Sequence, residues 1–478
     1  MLKANIYTFL LDKIIYSKNI LRPPLLKKLY KSMHKSMVED NETHPKKVME
    51  KKYEYFVAML ERVLKNVDRG YVSREVMKKM TKTLVRNALM KDPKSIEEVK
   101  KKYGEVPTFI VLSPTGVCNL KCTGCYAAVG GQKFNTLSYD VIEKIVEECH
   151  SWGNRFMTIS GGEPFLYKSQ GKTLFDIWKK YDDMFFLVYT NSTFITPKIA
   201  KKLAELGNVT PSISVEGFEK ETDERRGKGT FRKILKAFEN LRKAGVPFGI
   251  SVTSTRKNVN ALLTDEFYDY YFNKLGVTYM WQFQLMPIGR GKDCIELTVT
   301  PSERLLLFRK WEKLVKEDKY CIADFWNSGI LSDGCLAYGR EGGYLYIDWN
   351  GHIMPCVFVP YYVDNILDLY KKGKSLGDAL NSDFFKRGRA WQKEYWLDHM
   401  KKPCNGLMPC SIRDNYKNFR ENILTQNAKP ENRDAKEALE SKEYREYLEK
   451  FDDELKGLTQ EIWDEEYLEK EEVLVKTR

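Results

Sequence analysis

The chain has no run of about 18 uncharged apolar residues, the length a helix needs to cross a bilayer, so no spanning segment is expected. Its first residues lack the apolar core and small-residue cleavage site of a secretory signal, so a secreted, oxidising setting is not expected either. Histidine is scarce: five residues, scattered, with no metal-binding spacing, for which structural roles are the default. No internal repeat is present, which sets aside solenoids and propellers. Nucleic-acid recognition motifs are missing too, which argues against a nucleic-acid partner. Cysteine, by contrast, is plentiful at ten residues. In a chain read as cytoplasmic these are metal ligands more readily than disulfides.

Charge is unevenly placed. Residues 1–102 carry 25 Lys and Arg against 12 Asp and Glu, so the whole net charge of +13 falls there and residues 103–478 are neutral overall. Within this basic region Ile6, Leu10, Leu11, Ile14 and Ile15 recur at helical spacing among lysines. Pro23-Pro24 interrupts the pattern, and Leu25, Leu26, Leu29, Tyr30 and Met33 resume it beside further lysines. Such a helix suits a membrane surface, apolar face down, with lysines on anionic head groups. The plainer reading is a solvated helical face. Further helices are expected near Val48–Asn66 and Arg74–Met90.

From residue 108 short apolar runs alternate with amphipathic helices. Strands are predicted at Phe109–Leu112, Phe156–Ser160, Phe185–Thr190, Pro211–Val215, Phe248–Thr253 and Tyr279–Leu285. Helices are predicted between them at Tyr139–Trp152, Leu174–Tyr181, Pro197–Leu206, Phe231–Ala244 and Leu263–Leu275. This α/β alternation predicts a parallel sheet. Six strands are too few for a full eight-stranded barrel, so a partial (β/α)6 barrel is expected, with its site at the C-terminal strand ends. Past residue 300 the alternation stops. A helix over 301–318 and a hairpin turning at Asn350-Gly351 follow. The expected division is a basic helical region at 1–104, the barrel at 105–299, a small domain at 300–429 and a charged helical tail at 430–478.

Just after the first strand lies Ser113-Pro-Thr-Gly-Val-Cys-Asn-Leu-Lys-Cys-Thr-Gly-Cys-Tyr126. Cys118, Cys122 and Cys125 have C-x3-C-x2-C spacing, which places three thiolates around one corner of a cubane. A [4Fe–4S] cluster has four irons, so three close ligands leave one iron open to chelate something else. Zinc is the alternative, but it favours C-x2-C pairs with a second pair in range.

These residues resemble the radical SAM superfamily, whose open iron delivers an electron to S-adenosylmethionine (SAM). The next motifs agree. Gly161-Gly162-Glu163-Pro164 after the second strand looks like the family's GGEP segment, which holds the amino group of SAM. Glycine permits close backbone approach, and Glu163 can accept from an ammonium; alone, the segment would be a simple turn. Thr190-Asn191 and Ser214-Val-Glu216-Gly217 resemble segments that contact the ribose and carboxylate of SAM. Arg226 is matched to a carboxylate partner, or is a surface arginine at a helix start. One departure is that Gly124 stands where the family has an aromatic residue, while Tyr126 follows the third cysteine.

Cys335 and Cys356 bracket fifteen residues, Gly351 and four more. This resembles the C-x9–15-G-x4-C element of the auxiliary-cluster domains called SPASM and twitch. With Cys404 and Cys410 the resemblance implies one auxiliary [4Fe–4S] cluster, fully ligated by protein; a zinc site is the alternative. Cys149, Cys294 and Cys321 are expected as buried free thiols.

The resemblance implies reductive cleavage of SAM to a 5′-deoxyadenosyl radical, hydrogen abstraction from an unactivated C–H bond, and an external electron donor such as ferredoxin or flavodoxin. Arg225-Arg226-Gly227, Ile322-Ala-Asp-Phe-Trp-Asn327 and Pro355-Cys-Val-Phe358 are similar to a prokaryotic group that modifies membrane lipids, including membrane-spanning lipid synthases. The expected substrate is therefore a lipid hydrocarbon chain, joined through a C–C bond at the inner face of the cell membrane. The alternative is a peptide or protein maturase. An electron-transfer iron–sulfur protein would need no GGEP segment beside an open cluster.

Overall fold

The computed structural model describes residues 11, 13–16, 22–89, 93–130, 134–324, 329–397 and 404–468. Every strand expected between residues 109 and 285 forms: β1 (Phe109–Leu112), β2 (Phe156–Ile159), β3 (Phe185–Thr190), β4 (Val209–Val215), β5 (Gly249–Ser254) and β6 (Tyr279–Gln284). They lie side by side in chain order and pair in parallel, with Ile110 opposite Met157 and Ile250 opposite Met280. Helices return the chain between them at Tyr139–Ser151, Leu174–Lys180, Pro197–Leu206 and Thr230–Ala244. The helix expected over 263–275 breaks at Thr264, whose hydroxyl caps the next turn at Phe267 N. The helix Glu219–Arg226 was not foreseen, because Glu-Lys-Glu-Thr-Asp-Glu-Arg-Arg contains no apolar residue to set a period.

The sheet stays open, and residues beyond 300 extend both edges. β7 (Ile322–Asp324) pairs with β6, and β8 (Tyr344–Ile347) pairs with β1, both in parallel. β9 (His352–Met354) then turns back on β8 as the Asn350-Gly351 hairpin predicts. The hairpin therefore continues the barrel sheet instead of standing apart from it. All four residues of β8 are buried, as a strand covered on both faces requires.

The N-terminal region corrects an expectation. Its apolar face turns inward: Ile14, Ile15 and Leu29 are buried against Leu64, Val67, Val72 and Met77. Ile6 and Leu10 lie outside the described residues. Several of its cations dock the helix Lys46–Asp68 onto the barrel. Buried Lys51 pairs with Glu312 at 3.2 Å, and buried Arg62 donates to Phe272 O at 3.3 Å and lies 4.8 Å from the Tyr320 ring. Asn66 Nδ2 donates to Gly276 O at 2.9 Å. An amphipathic pattern establishes that an apolar face exists; among the described residues protein covers Ile14, Ile15 and Leu29. Among the described residues no helix is long and apolar enough to cross a membrane.

The charged C-terminal region is likewise built in. The helix Lys442–Ile462 buries Tyr444, Leu448, Phe451 and Leu455, and Phe451 lies 4.5 Å beneath the buried Arg413 guanidinium. Beside it, Asp452 accepts from Tyr416 N at 2.7 Å through Oδ2, while Oδ1 has no partner. Burial, with Asp414 nearby, pushes the Asp452 carboxyl up to about 9, although Arg413 and Arg304 act the other way. Its folded value lies above the unfolded one, so its contribution is fully present below about pH 4 and is lost as pH rises towards 9. Asp452→Asn, neutral throughout, is expected to gain thermal stability over the wild type, and the gain should grow between about pH 5 and pH 8. Melting curves across that range check this; a gain independent of pH would contradict it.

Candidate active site

Alternate residues of the strands face one cavity of ≈ 240 Å³ inside the barrel. Its deeper wall is aromatic and apolar, with Phe109, Phe156, Leu187, Trp281 and Tyr344. Its rim, at the C-terminal strand ends, carries Cys118, Cys122, Cys125, Tyr126, Gly161, Gly162, Thr190, Asn191, Ser214 and Arg226. Ten of the sequence-predicted residues thus share one mouth. Glu163, Pro164 and Glu216 do not line it.

Glycine is required here for packing of loop on loop. A Cβ at Gly162 would meet Val117 O at 2.2 Å, and one at Gly161 would meet Thr115 O at 2.7 Å. Their absence lets Gly162 N donate to Thr115 O and Glu163 N to Val117 O, both at 2.8 Å. The GGEP segment is thereby laid flush against the cysteine loop. Gly124 has φ +63°, and a Cβ there would meet Leu285 Cδ1 at 2.8 Å, which explains the missing aromatic residue. Tyr126 takes the wall position, its ring 5.5 Å from that of Phe358.

The expectation that Glu163 meets an ammonium is replaced by a different role. The side chain is fully buried, and its carboxylate accepts from Thr190 Oγ1 at 2.7 Å and Asn191 N at 2.8 Å. Burial pushes it up to about 7, against the pull of those hydrogen bonds. It fixes the end of β3, and Asn191 Nδ2 in turn donates to Asn119 Oδ1 at 2.8 Å in the cysteine loop. Ser214 Oγ lies 3.2 Å from Ser251 Oγ, its in-register neighbour on β5.

Arginines surround the same loop. Buried Glu216 pairs with both Arg225 and Arg226. Two cations against one carboxylate leave a net positive edge beside Cys122, whose sulfur lies 4.0 Å from Arg226 Nη1. Arg225 Nε donates to Thr123 O at 3.1 Å. Arg290, which sequence reasoning missed, donates to Cys122 O at 3.0 Å and to Val129 O at 2.8 Å. Its signal was Gly289-Arg-Gly291 five residues beyond the end of β6, where Gly289 has φ +53°. Burial pushes the Cys118 thiol up to about 11, with Glu163 and the neighbouring cysteines adding to it. Three crowded thiols of this kind suit a cationic iron centre that takes them as thiolates.

A second, smaller cavity is lined by Cys335, Cys356 and Cys410. Tyr344 and Phe358 line both cavities. Burial and the neighbouring Cys335 push Cys356 up to about 12. Cys404 is not among these residues. It is buried beside Trp463, and its carbonyl accepts from Gln460 Nε2 at 3.2 Å on the C-terminal helix. Asn405 Nδ2 donates to Thr459 Oγ1 of that helix at 3.0 Å, so the Cys404 segment packs on the C-terminal helix. Among the described residues no three His, Cys, Asp or Glu side chains converge on a point for a single metal ion. Cys149 and Cys321 are buried, as expected, while Cys294 is half-buried. Asp324 ends β7, and residues 325–328 lie outside the described set.

Residues 112–257 match the family model described as the radical SAM superfamily. The chain is 30% identical over 303 residues to the mycofactocin maturase MftC of Mycolicibacterium smegmatis, covering 60% of this chain and 72% of that protein. The chain belongs to the radical SAM superfamily. It is also 28% identical over 289 residues to the AdoMet-dependent heme synthase of Methanosarcina barkeri, covering 54% of this chain and 79% of that one. Among solved structures, Streptococcus suis SuiB bound to precursor peptide SuiA aligns at 16% identity with a TM-score of 0.48, over 70% of this chain and 79% of that one. As a radical SAM enzyme the protein uses a [4Fe–4S] cluster and SAM.

Proposed function

We propose that this radical SAM enzyme modifies a peptide, with Cys118, Cys122 and Cys125 holding the SAM-binding cluster. When bound, that cluster supplies one electron to SAM, giving methionine and a 5′-deoxyadenosyl radical that abstracts hydrogen from a C–H bond. Gly161 and Gly162 form one side of the SAM seat through their backbone. Asn191 and Ser214 face it from the ends of β3 and β4, and Arg226 offers its free edge to the methionyl carboxylate. Tyr126 walls the seat. Glu163 and Glu216 act from beneath, holding Thr190, Asn191 and Arg226 in place. Cys335, Cys356 and Cys410 hold the auxiliary cluster, and an external protein of the ferredoxin or flavodoxin class provides electrons.

The observation that carries the peptide reading is the likeness to a maturase at 30% identity over 72% of its length. The lipid reading drew on an apolar N-terminal face, of which Ile14, Ile15 and Leu29 are buried against protein. The test is anaerobic reconstitution with SAM and a reductant against three pools: peptide extract, lipid extract and iron-coproporphyrin. The expected result is a mass change, such as loss of about 2 Da, confined to peptide. A change confined to lipid or porphyrin would overturn the reading.

Gly162→Ala tests the seat itself. Its Cβ would press on Val117 O at 2.2 Å, so the two loops must part. SAM binding by equilibrium dialysis is expected to weaken by about 10- to 100-fold, the equivalent of roughly 1–3 kcal/mol of overpacking. Unchanged affinity would contradict the loop-on-loop account.

A further inference from the structure

Tyr344 stands where the two cavities meet. Its ring belongs to the wall of the barrel cavity and stacks on Phe109 at 5.2 Å and 25°. Its hydroxyl oxygen lies 2.9 Å from Cys356 Sγ in the second cavity. The side chain is 5% exposed, so this contact is shielded from water. β8 fixes the geometry: it pairs with β1, placing Tyr344 opposite Phe109 in register.

A sulfur that ligates iron carries no proton, so in the loaded protein the phenol must be the donor of this hydrogen bond. The same sulfur accepts from Phe358 N at 3.4 Å. Hydrogen bonds to cluster sulfur withdraw electron density and raise the reduction potential. We infer that Tyr344 is a positioning residue that sets the potential of the auxiliary cluster through Cys356 and links it to the wall of the substrate cavity. Cys335 and Cys410 line the same small cavity, so the tuning falls on one ligand of the set. An occupant of the barrel cavity lies one aromatic ring away from the Cys356 sulfur. The inference rests on the auxiliary site proposed above.

Two measurements on the reconstituted holoenzyme separate the inference from that site. Cys356→Ala tests the site: it is expected to lose the auxiliary cluster's iron, and full retention would overturn the site together with the inference. Tyr344→Phe tests the inference. Iron content is expected to stay at the wild-type level. The midpoint of the auxiliary signal in an EPR redox titration should move to more negative potential. An exchangeable-proton coupling seen in the wild type in light but not heavy water should vanish. The signal of the SAM-binding cluster should not move. An auxiliary midpoint equal to the wild type, with iron intact, would overturn the inference. Should Tyr344→Phe lose iron, 3-fluorotyrosine at position 344 decides: this stronger donor of similar size is expected to move the midpoint to more positive potential. No movement there overturns the proposal.

Discussion

Replacing Cys118, Cys122 and Cys125 together with alanine is expected to abolish 5′-deoxyadenosine formation. It should also lower iron from about eight atoms per reconstituted chain to about four. The three thiols sit on one loop that is anchored at several points. Gly162 N and Glu163 N donate to its carbonyls from one side, Arg290 and Arg225 grip Cys122 O and Thr123 O from another, and Asn191 holds Asn119. Few of these anchors involve sulfur, so the loop should keep its shape without the thiols, and the loss should be specific to one cluster. Iron assay, EPR and product chromatography check the prediction together. Loss of all iron would mean that the second cavity is not an independent site.

Asp414→Ala is expected to destabilise the fold by about 3–5 kcal/mol, the usual cost of breaking a buried ion pair from one side. Arg304 and Asp414 are both almost wholly buried, at 1% and 0% side-chain exposure. They form a two-pronged pair, with Arg304 Nη2 at 2.9 Å from Asp414 Oδ2 and also 2.9 Å from Leu407 O. The pair joins the helix Pro301–Lys316 to the loop that carries Cys410. Asp414 Oδ2 also accepts from Cys410 N at 3.0 Å. Removing the carboxylate takes the bidentate counter-charge from a buried guanidinium and frees the backbone of a proposed cluster ligand. Denaturant unfolding of Asp414→Ala against the wild type measures the effect. A change below about 1 kcal/mol would place the pair among the weakly coupled ones.

The barrel strands were legible because short continuous apolar runs between amphipathic helices have few other solutions. The cysteine loop was legible because its spacing is local. What escaped the sequence depended on partners distant in the chain. The apolar stripe through Ile14, Ile15 and Leu29 reads the same whether lipid or protein covers it; only the placement of Leu64, Val67 and Met77 decides. The grouping of Cys404 with Cys410 rested on close spacing, and the contacts of its segment with Thr459 and Gln460 come from a helix 54 and 56 residues further on. Glu163 was read as a ligand for charge because an acidic residue beside glycines suggests one, whereas the buried ends of β3 needed an acceptor. Gly124 shows the reverse: the sequence revealed a departure, and a left-handed backbone against Leu285 supplies the cause.

The most direct test of the central claim is the EPR spectrum of the reduced, reconstituted protein recorded with and without SAM. SAM is expected to perturb one signal, the one that is absent from the Cys118, Cys122 and Cys125 triple variant, and to leave the auxiliary signal in place. A spectrum that does not respond to SAM, or a SAM-responsive signal that survives in the triple variant, would contradict the assignment of the open iron to this loop.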